Sequence, residues 1–184
     1  MNRLILLHDS VFSGIEKTSQ FVLPSLARLI FAGVLLVYFW NSAMTKVGDG
    51  LFGILKPSLG AYAQIFPRQM EAVGYDVSQL NIFHWLVVTA GTFAEFLLPL
   101  LIVVGLLTRL AALGMIGFIV VQSLTDIVGH QVDAATIGSW FDRASDALIV
   151  DQRALWLLLL LILVFKGAGP LSLDRLLSRQ AASG

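Results

Sequence analysis

The chain contains no cysteine. Disulfide exchange, thiolate metal sites and cysteine-ligated iron–sulfur clusters are therefore excluded as chemistry of this polypeptide. Charge is also scarce: 13% of its 184 residues are Asp, Glu, Lys or Arg, against about 25% in ordinary soluble domains. Acids and bases cancel to a formal net charge of +0, so no basic footprint for nucleic acid is present. There are only three histidines, without His-x-x-x-His spacing. No metal site is expected, and haem is disfavoured even though His84 and His130 would be the pair to hold it. No phosphate-binding glycine loop or serine-nucleophile motif occurs, so no catalytic residue can be assigned.

What fills the chain is apolar: 57% of residues are hydrophobic. Several runs reach the roughly 20 residues that a helix needs to cross about 30 Å of hydrocarbon. The pattern predicts an all-α membrane protein of one domain over residues 1–184, a four-transmembrane-helix bundle. The expected spans are 21–44, 82–106, 107–128 and 147–166. The last needs Asp151, Gln152 and Arg153 near one membrane face to reach full length. Leu4, Leu7, Val11 and Ile15 recur at helical spacing, which suits an N-terminal interfacial helix. The start, MNRLILLHDS, has too short an apolar core for a cleaved signal. Residues 45–80 form a long connection broken by Pro57 and Pro67, expected to hold short helices over the mouth of the bundle or at the interface. In the fourth connection, Gly167, Gly169 and Pro170 stop a helix and Ser172 caps a short one after it.

Four crossings put both ends on one side. That side carries Arg3, Lys17, Arg28, Arg109, Lys166, Arg175 and Arg179. The bias places the termini in the cytoplasm.

Ionisable groups inside spans cost about 2.5–3.5 kcal/mol on insertion scales, so they face the interior and have partners. Arg28, Glu95 and Arg109 are expected to form an intramembrane polar core, with Arg28 reaching Glu95 as an ion pair. The alternative is a lock between helices, with Arg109 snorkelling to the headgroups. Pro99 removes the helical donor to the Glu95 carbonyl, as a kink or as part of a ligand or proton site. Toward the opposite face, Gln122, Asp126 and His130 share one stripe of the third helix. Asn41 and Lys46 end the first span, and Asp151, Arg153 and Trp156 begin the fourth. These eight are the candidates for an outer polar pocket, beside ordinary solvated helix ends. A short echo, RLIFAG in the first span and RLAALG in the third, is either a two-plus-two repeat or chance.

Three stretches carry a family resemblance: SLARLIFAGVLLVYFWNSAMTKV, GTFAEFLLPLLIVVGLLTRLAALGMIGF and GAGPLSLDRLL. They resemble the DoxX family of small four-helix membrane proteins. The matching positions are Arg28, Lys46, Glu95, Gly105, Thr108, Arg109, Gly169, Ser172, Leu173 and Asp174. The family often has a glycine shortly before the lysine, where this chain has WNSAMTK. The resemblance implies a multi-pass protein of the bacterial inner membrane, an accessory subunit of a redox or oxidative-stress system. Its expected ligand is a quinone or another lipophilic molecule held between helices. Expected partners are the lipid bilayer, a soluble or membrane redox protein, and a second copy of the chain. Two other functions remain open: a non-catalytic scaffold for a soluble partner, and an oligomeric transporter of small solutes or metal ions.

Overall fold

The computed structural model describes residues 2–181. Among the described residues, four helical stretches are long and apolar enough to cross a membrane: Arg3–Met44, Ile82–Val104, Thr108–Gly129 and Leu148–Lys166. The first is built from α1 (Asn2–Phe31), a π-helical turn (Ala32–Leu36) and α2 (Val37–Met44). The stretch expected to lie apart on the membrane surface instead runs unbroken into the span. Its 42 residues extend about 63 Å at 1.5 Å per residue, roughly twice the hydrocarbon thickness. No glycine or proline stands between Glu16 and Phe21 to stop the helix. Pro24 lies inside it and is buried against Gly169, where an added Cβ would stand 3.1 Å from the proline ring.

The long connection carries α3 (Leu59–Ile65) and α4 (Pro67–Ala72) between two short 3-10 turns. Ser58 caps α3 by accepting from the Ala61 amide at 3.2 Å. Ala61, Tyr62 and Met70 pack with Val88 into a small second core, and Ile65 touches Gly91. This connection therefore runs down the flank of the second span to within one turn of Glu95, rather than only covering the mouth.

The remaining helices are α5 (Ile82–Val104), α6 (Thr108–Leu124) with a π-helical end (Thr125–Gly129), α7 (Ala134–Ile137), α8 (Arg153–Lys166) after a π-helical turn (Leu148–Gln152), and α9 (Leu173–Ala181). Asn81 caps α5 through Oδ1, which accepts from the Phe83 amide at 3.0 Å. Each span packs on the next and the fourth returns to the first, closing a square bundle. Its core holds Phe31, Leu35 and Phe39 from the first span, Ile102 from the second, Ala112, Met115 and Ile119 from the third, and Leu160 and Leu163 from the fourth. Lipid is as apolar as these side chains, so close packing rather than expulsion of water holds them together. Phe39 meets Phe118 and Trp156 edge-on, with centroids at 5.9 and 6.2 Å.

The turn from α5 to α6 is fixed by one residue and one distant carboxylate. Gly105 ends α5 with φ 73°, and its amide bonds back to Leu101 and Ile102. A Cβ there would stand 2.6 Å from the Ser172 Cβ and 2.9 Å from the Arg28 Cζ, so only glycine fits. Asp174 of α9 then accepts from the Leu107 amide at 2.7 Å and the Thr108 amide at 2.9 Å. It caps α6 from outside, where the free N–H groups and the positive end of the helix dipole favour a carboxylate.

Candidate functional site

The expected Arg28–Glu95 pair does not form. Arg28 points toward the α9 side of the bundle and spends its donors on backbone carbonyls. Nε donates to Ile102 at 2.9 Å, Nη2 to Val103 at 2.5 Å, and Nη1 to Ala168 at 3.0 Å and to Leu171. Ile102 lies seven residues beyond Glu95, about 10 Å along the helix. The physical reason is supply. The last carbonyls of α5 and those of the Gly-rich turn before α9 lack their full set of helical donors, Ile102 keeping only a 3.2 Å bond from the Gly105 amide, and a guanidinium offers five N–H groups in a fixed fork. Arg109 does similar work at the end of α8. Its Nη2 approaches the Phe165 carbonyl at 3.4 Å, and it lies over Gly167. Arg28, Glu95 and Arg109 therefore do not share one polar core.

Glu95 pairs with Lys46. The Lys46 Nζ donates to Glu95 Oε1 at 3.1 Å and lies 2.9 Å from Oε2. Both residues are almost fully buried, Lys46 at 4% and Glu95 at 3% exposure. Ser42, one turn before Lys46, donates from Oγ to Oε1 at 3.0 Å and accepts from Nζ at 2.8 Å. Nζ also donates to the Ser42 carbonyl at 3.0 Å. The first span ends at Met44, so its last turn delivers the ammonium near the middle of α5, about 20 Å from Ile82. There an unpaired charge would be costly, which explains the shared serine. Trp40 donates from Nε1 to the Phe96 carbonyl at 3.1 Å, beside the Glu95 carbonyl that Pro99 leaves without its helical donor; α5 runs on through Pro99 without a break.

Glu95 and Lys46 line a cavity of about 310 Å³ between the second and third spans. Its walls are small or flat: Ala90, Gly91 and Ala94 on α5, and Gly114, Gly117 and Phe118 on α6. Gly114 and Gly117 are exposed, so the slot opens on the face of the bundle. Gln122 and Asp126 continue the lining toward the long loops, and Gln64 of α3 joins them. Gln122 donates from Nε2 to the Tyr38 hydroxyl at 3.1 Å. Glu95 Oε2 faces the Lys46 ammonium at 2.9 Å, and Gln122 Oε1 is buried without a hydrogen-bond partner among the described residues.

The expected outer pocket divides. Lys46, Gln122 and Asp126 line the cavity. Arg153 is buried behind it and donates from Nη2 to Asp126 Oδ2 at 2.5 Å and from Nη1 to Ser123 Oγ at 2.8 Å. The others stand apart. His130 donates from Nε2 to the Gln64 carbonyl at 2.8 Å and ties α3 to the end of the third span. Asp151 accepts from the Ala147 amide at 3.0 Å, closing the turn that opens the fourth span. Trp156 packs against Tyr38 with centroids at 5.4 Å, and Asn41 is exposed and outside the lining. Ser42, Ser123, Tyr38 and Gln64 are participants that the sequence reading passed over. Ser42 and Lys46, at i and i+4 on the last polar turn of an apolar helix, are the pattern that would have found the first.

The sequence echo has a structural counterpart. Arg28 and Arg109 each bind carbonyls at the end of the span that follows their own in the chain or bundle, α5 and α8 respectively. Ser42 and Ser123 each lie fourteen residues after their arginine, and each bonds to a member of an ion pair, fully buried in the first case and partly buried in the second. The pairs are Lys46 with Glu95 in one half and Asp126 with Arg153 in the other.

No curated protein and no solved structure matches this chain. The model of the DoxX family matches residues 23–126; this takes in the second span, most of the third and the C-terminal half of the first, with Arg28, the Lys46–Glu95 pair and the slot beside it. With more than half of its length matched, the chain belongs to the DoxX family.

Proposed function

We propose that the protein is an accessory component of a redox system in the bacterial inner membrane, with cytoplasmic termini, and that it holds a lipophilic molecule such as a quinone between its second and third spans. The cavity carries this reading. About 310 Å³ is at the lower end of the range for small-molecule sites, which are mostly apolar with a few placed polar groups. Here glycines and alanines leave room for a flat ring, the open side admits a molecule from the bilayer, and the Lys46–Glu95 pair supplies the polar end. The test is solvent extraction of gently purified protein, followed by mass and absorption spectra of the extract. Gly117→Leu is the matched variant, because nothing lies within 4 Å of a Cβ at that site and the added side chain enters the slot. A lipophilic species retained by the unaltered protein and lost from Gly117→Leu supports the reading; equal content in both overturns it.

A scaffold is the second reading. It is favoured by the length of the first helix, whose Leu4, Leu7, Val11 and Ile15 are all more than half exposed. Crosslinking from that segment to a soluble protein, with no ligand in the slot, would favour it.

A further inference from the structure

We infer that the protein holds an anionic phospholipid where the first span, the end of α8 and the start of α9 meet, a place independent of the slot. The phosphodiester sits among cations at the membrane boundary, and an acyl chain follows the first span. The boundary is visible in the chain: residues 16–20 read EKTSQ and residues 21–23 read FVL. Lys166 closes the fourth span, whose 19 residues rise about 28 Å, close to the hydrocarbon thickness. Its Nζ donates to Gln20 Oε1 at 3.3 Å, so the two helices leave the apolar layer at one level. The turn through Gly167 and Gly169 then brings Arg175 of α9 to the same place. Gln20, Phe21, Lys166, Asp174 and Arg175 line a cavity of about 260 Å³ there.

The cavity is rich in unused donors, and they are accessible. Lys166, Arg175 and Gln20 are all exposed. Among the described residues, neither cation has a carboxylate within 4.0 Å, and the Arg175 guanidinium and the Gln20 amide nitrogen donate to nothing. Asp174 is the acid in the lining, and both its oxygens are taken by the Leu107 and Thr108 amides. Two cations and one carboxylate leave one positive charge, which a phosphodiester balances. Guanidinium and ammonium groups are the usual holders of phosphate oxygens. A choline or ethanolamine headgroup adds its own cation beside Lys166 and Arg175, which opposes its binding. A second feature selects a lipid over a free anion. Phe21 also lines an apolar groove of about 600 Å³, walled by Val22, Leu26, Leu29, Val103 and Leu171 and reaching Ala32. From Val22 to Ala32 it follows the helix for about 15 Å into the span. A polar cavity and an apolar groove that meet at one residue are what a headgroup with an attached chain requires.

The test uses the full chain in dodecyl maltoside. Native mass spectrometry reads the bound lipid as phosphatidylglycerol or phosphatidylcholine of the same chain length is titrated in. Phosphatidylglycerol should fill its first site at a concentration at least about tenfold lower, the scale of two cations acting on an anionic headgroup. Lys166→Gln with Arg175→Gln should remove that preference. Lys17→Gln with Arg179→Gln deletes two exposed cations outside the cavity and should leave it intact. Ala32→Phe, which fills the groove, should weaken binding of both lipids. Inorganic phosphate at the lipid's own concentration should displace neither. Equal binding of the two lipids by the unaltered protein, or equal loss of preference in the two charge pairs, overturns the inference. Displacement by phosphate, or unchanged binding in Ala32→Phe, overturns the assignment to a lipid. Lys166 and Arg175 are exposed and hold only the 3.3 Å contact to Gln20, so their replacement should leave the fold intact, as circular dichroism would check. The comparison of lipids on the unaltered protein needs no variant to fold.

Discussion

Replacing Lys46 with methionine should reveal how the bundle tolerates Glu95. The substitution keeps most of the side-chain length but removes the charge that stands 2.9 Å from Oε2 and the N–H that bonds Oε1 at 3.1 Å. Breaking a buried pair from one side typically costs about 3–5 kcal/mol, because the remaining charge is stranded. Glu95→Leu alone strands the ammonium and should cost a similar amount, on the order of 3 kcal/mol, with the Ser42 carbonyl left to share it. The double variant, Lys46→Met with Glu95→Leu, has no stranded charge and should lie within about 1 kcal/mol of the natural protein. The coupling energy would then exceed about 2 kcal/mol, well above the roughly 0.6 kcal/mol typical of neutral hydrogen bonds between membrane helices. The assay is reversible unfolding in mixed micelles by titration with dodecyl sulfate, followed by circular dichroism. Arg28→Gln with Glu95→Leu is the control pair. These residues do not touch, so their effects should add within about 0.5 kcal/mol. Additive costs for Lys46 and Glu95, or coupling of Glu95 to Arg28 instead, would refute the reasoning.

Other expectations follow from the same geometry. Asp174→Asn weakens the cap on Leu107 and Thr108 and should lower stability by about 1–2 kcal/mol, seen as a lower midpoint in the same titration. Gly105→Ala forces a side chain into a left-handed turn and against Ser172 and Arg28; a cost above about 1 kcal/mol is expected, and a neutral outcome would mean that the turn can rearrange. In the connections between spans, the Ser78 hydroxyl, the Gln79 amide and the Ser78 N–H hold the Asp76 carboxyl below its usual 3.8, and the Thr136 amide does the same for Asp133. For a depressed carboxylate, the stabilisation is present above the unfolded value and is lost as pH falls through the lower folded value. Hydrogen exchange at the Ser78 and Thr136 amides should therefore be unchanged by pH-corrected comparison near neutrality and lose protection only below about 3.8; loss of protection already near neutrality would contradict this.

Much of the architecture was legible in the chain because a bilayer imposes a length and a polarity on whatever crosses it. Apolar runs bounded by polar turns located the last three spans and the end of the first to within a few residues, but not the start of the first helix, which reaches back to Arg3. The cap at Ser172, which accepts from the Arg175 amide at 3.2 Å, was readable because it is a local property of one turn; the end of α5 at Gly105 was not, since the expected span ran on to residue 106. The site was less legible. Arg28 and Glu95 looked like partners because both are ionisable groups in apolar helices, and Lys46 looked like a solvated helix end. Depth counted along one helix does not show where the end of another arrives. Nor did small residues at Gly91, Gly114 and Gly117 announce a slot, since the same residues serve equally to bring helices together. Only the positions of α5 and α6 decide that these glycines border open space.

By itself, then, the sequence determined that the chain crosses a membrane four times and that its few charges must be sheltered, because hydrocarbon cannot solvate a backbone or an ion. The tertiary structure decided who shelters whom. Arg28 is satisfied by carbonyls at helix ends, Glu95 by Lys46, and Asp126 by Arg153. Those choices depend on the relative depth and rotation of four packed helices, a property of their contacts that no single stretch of residues contains.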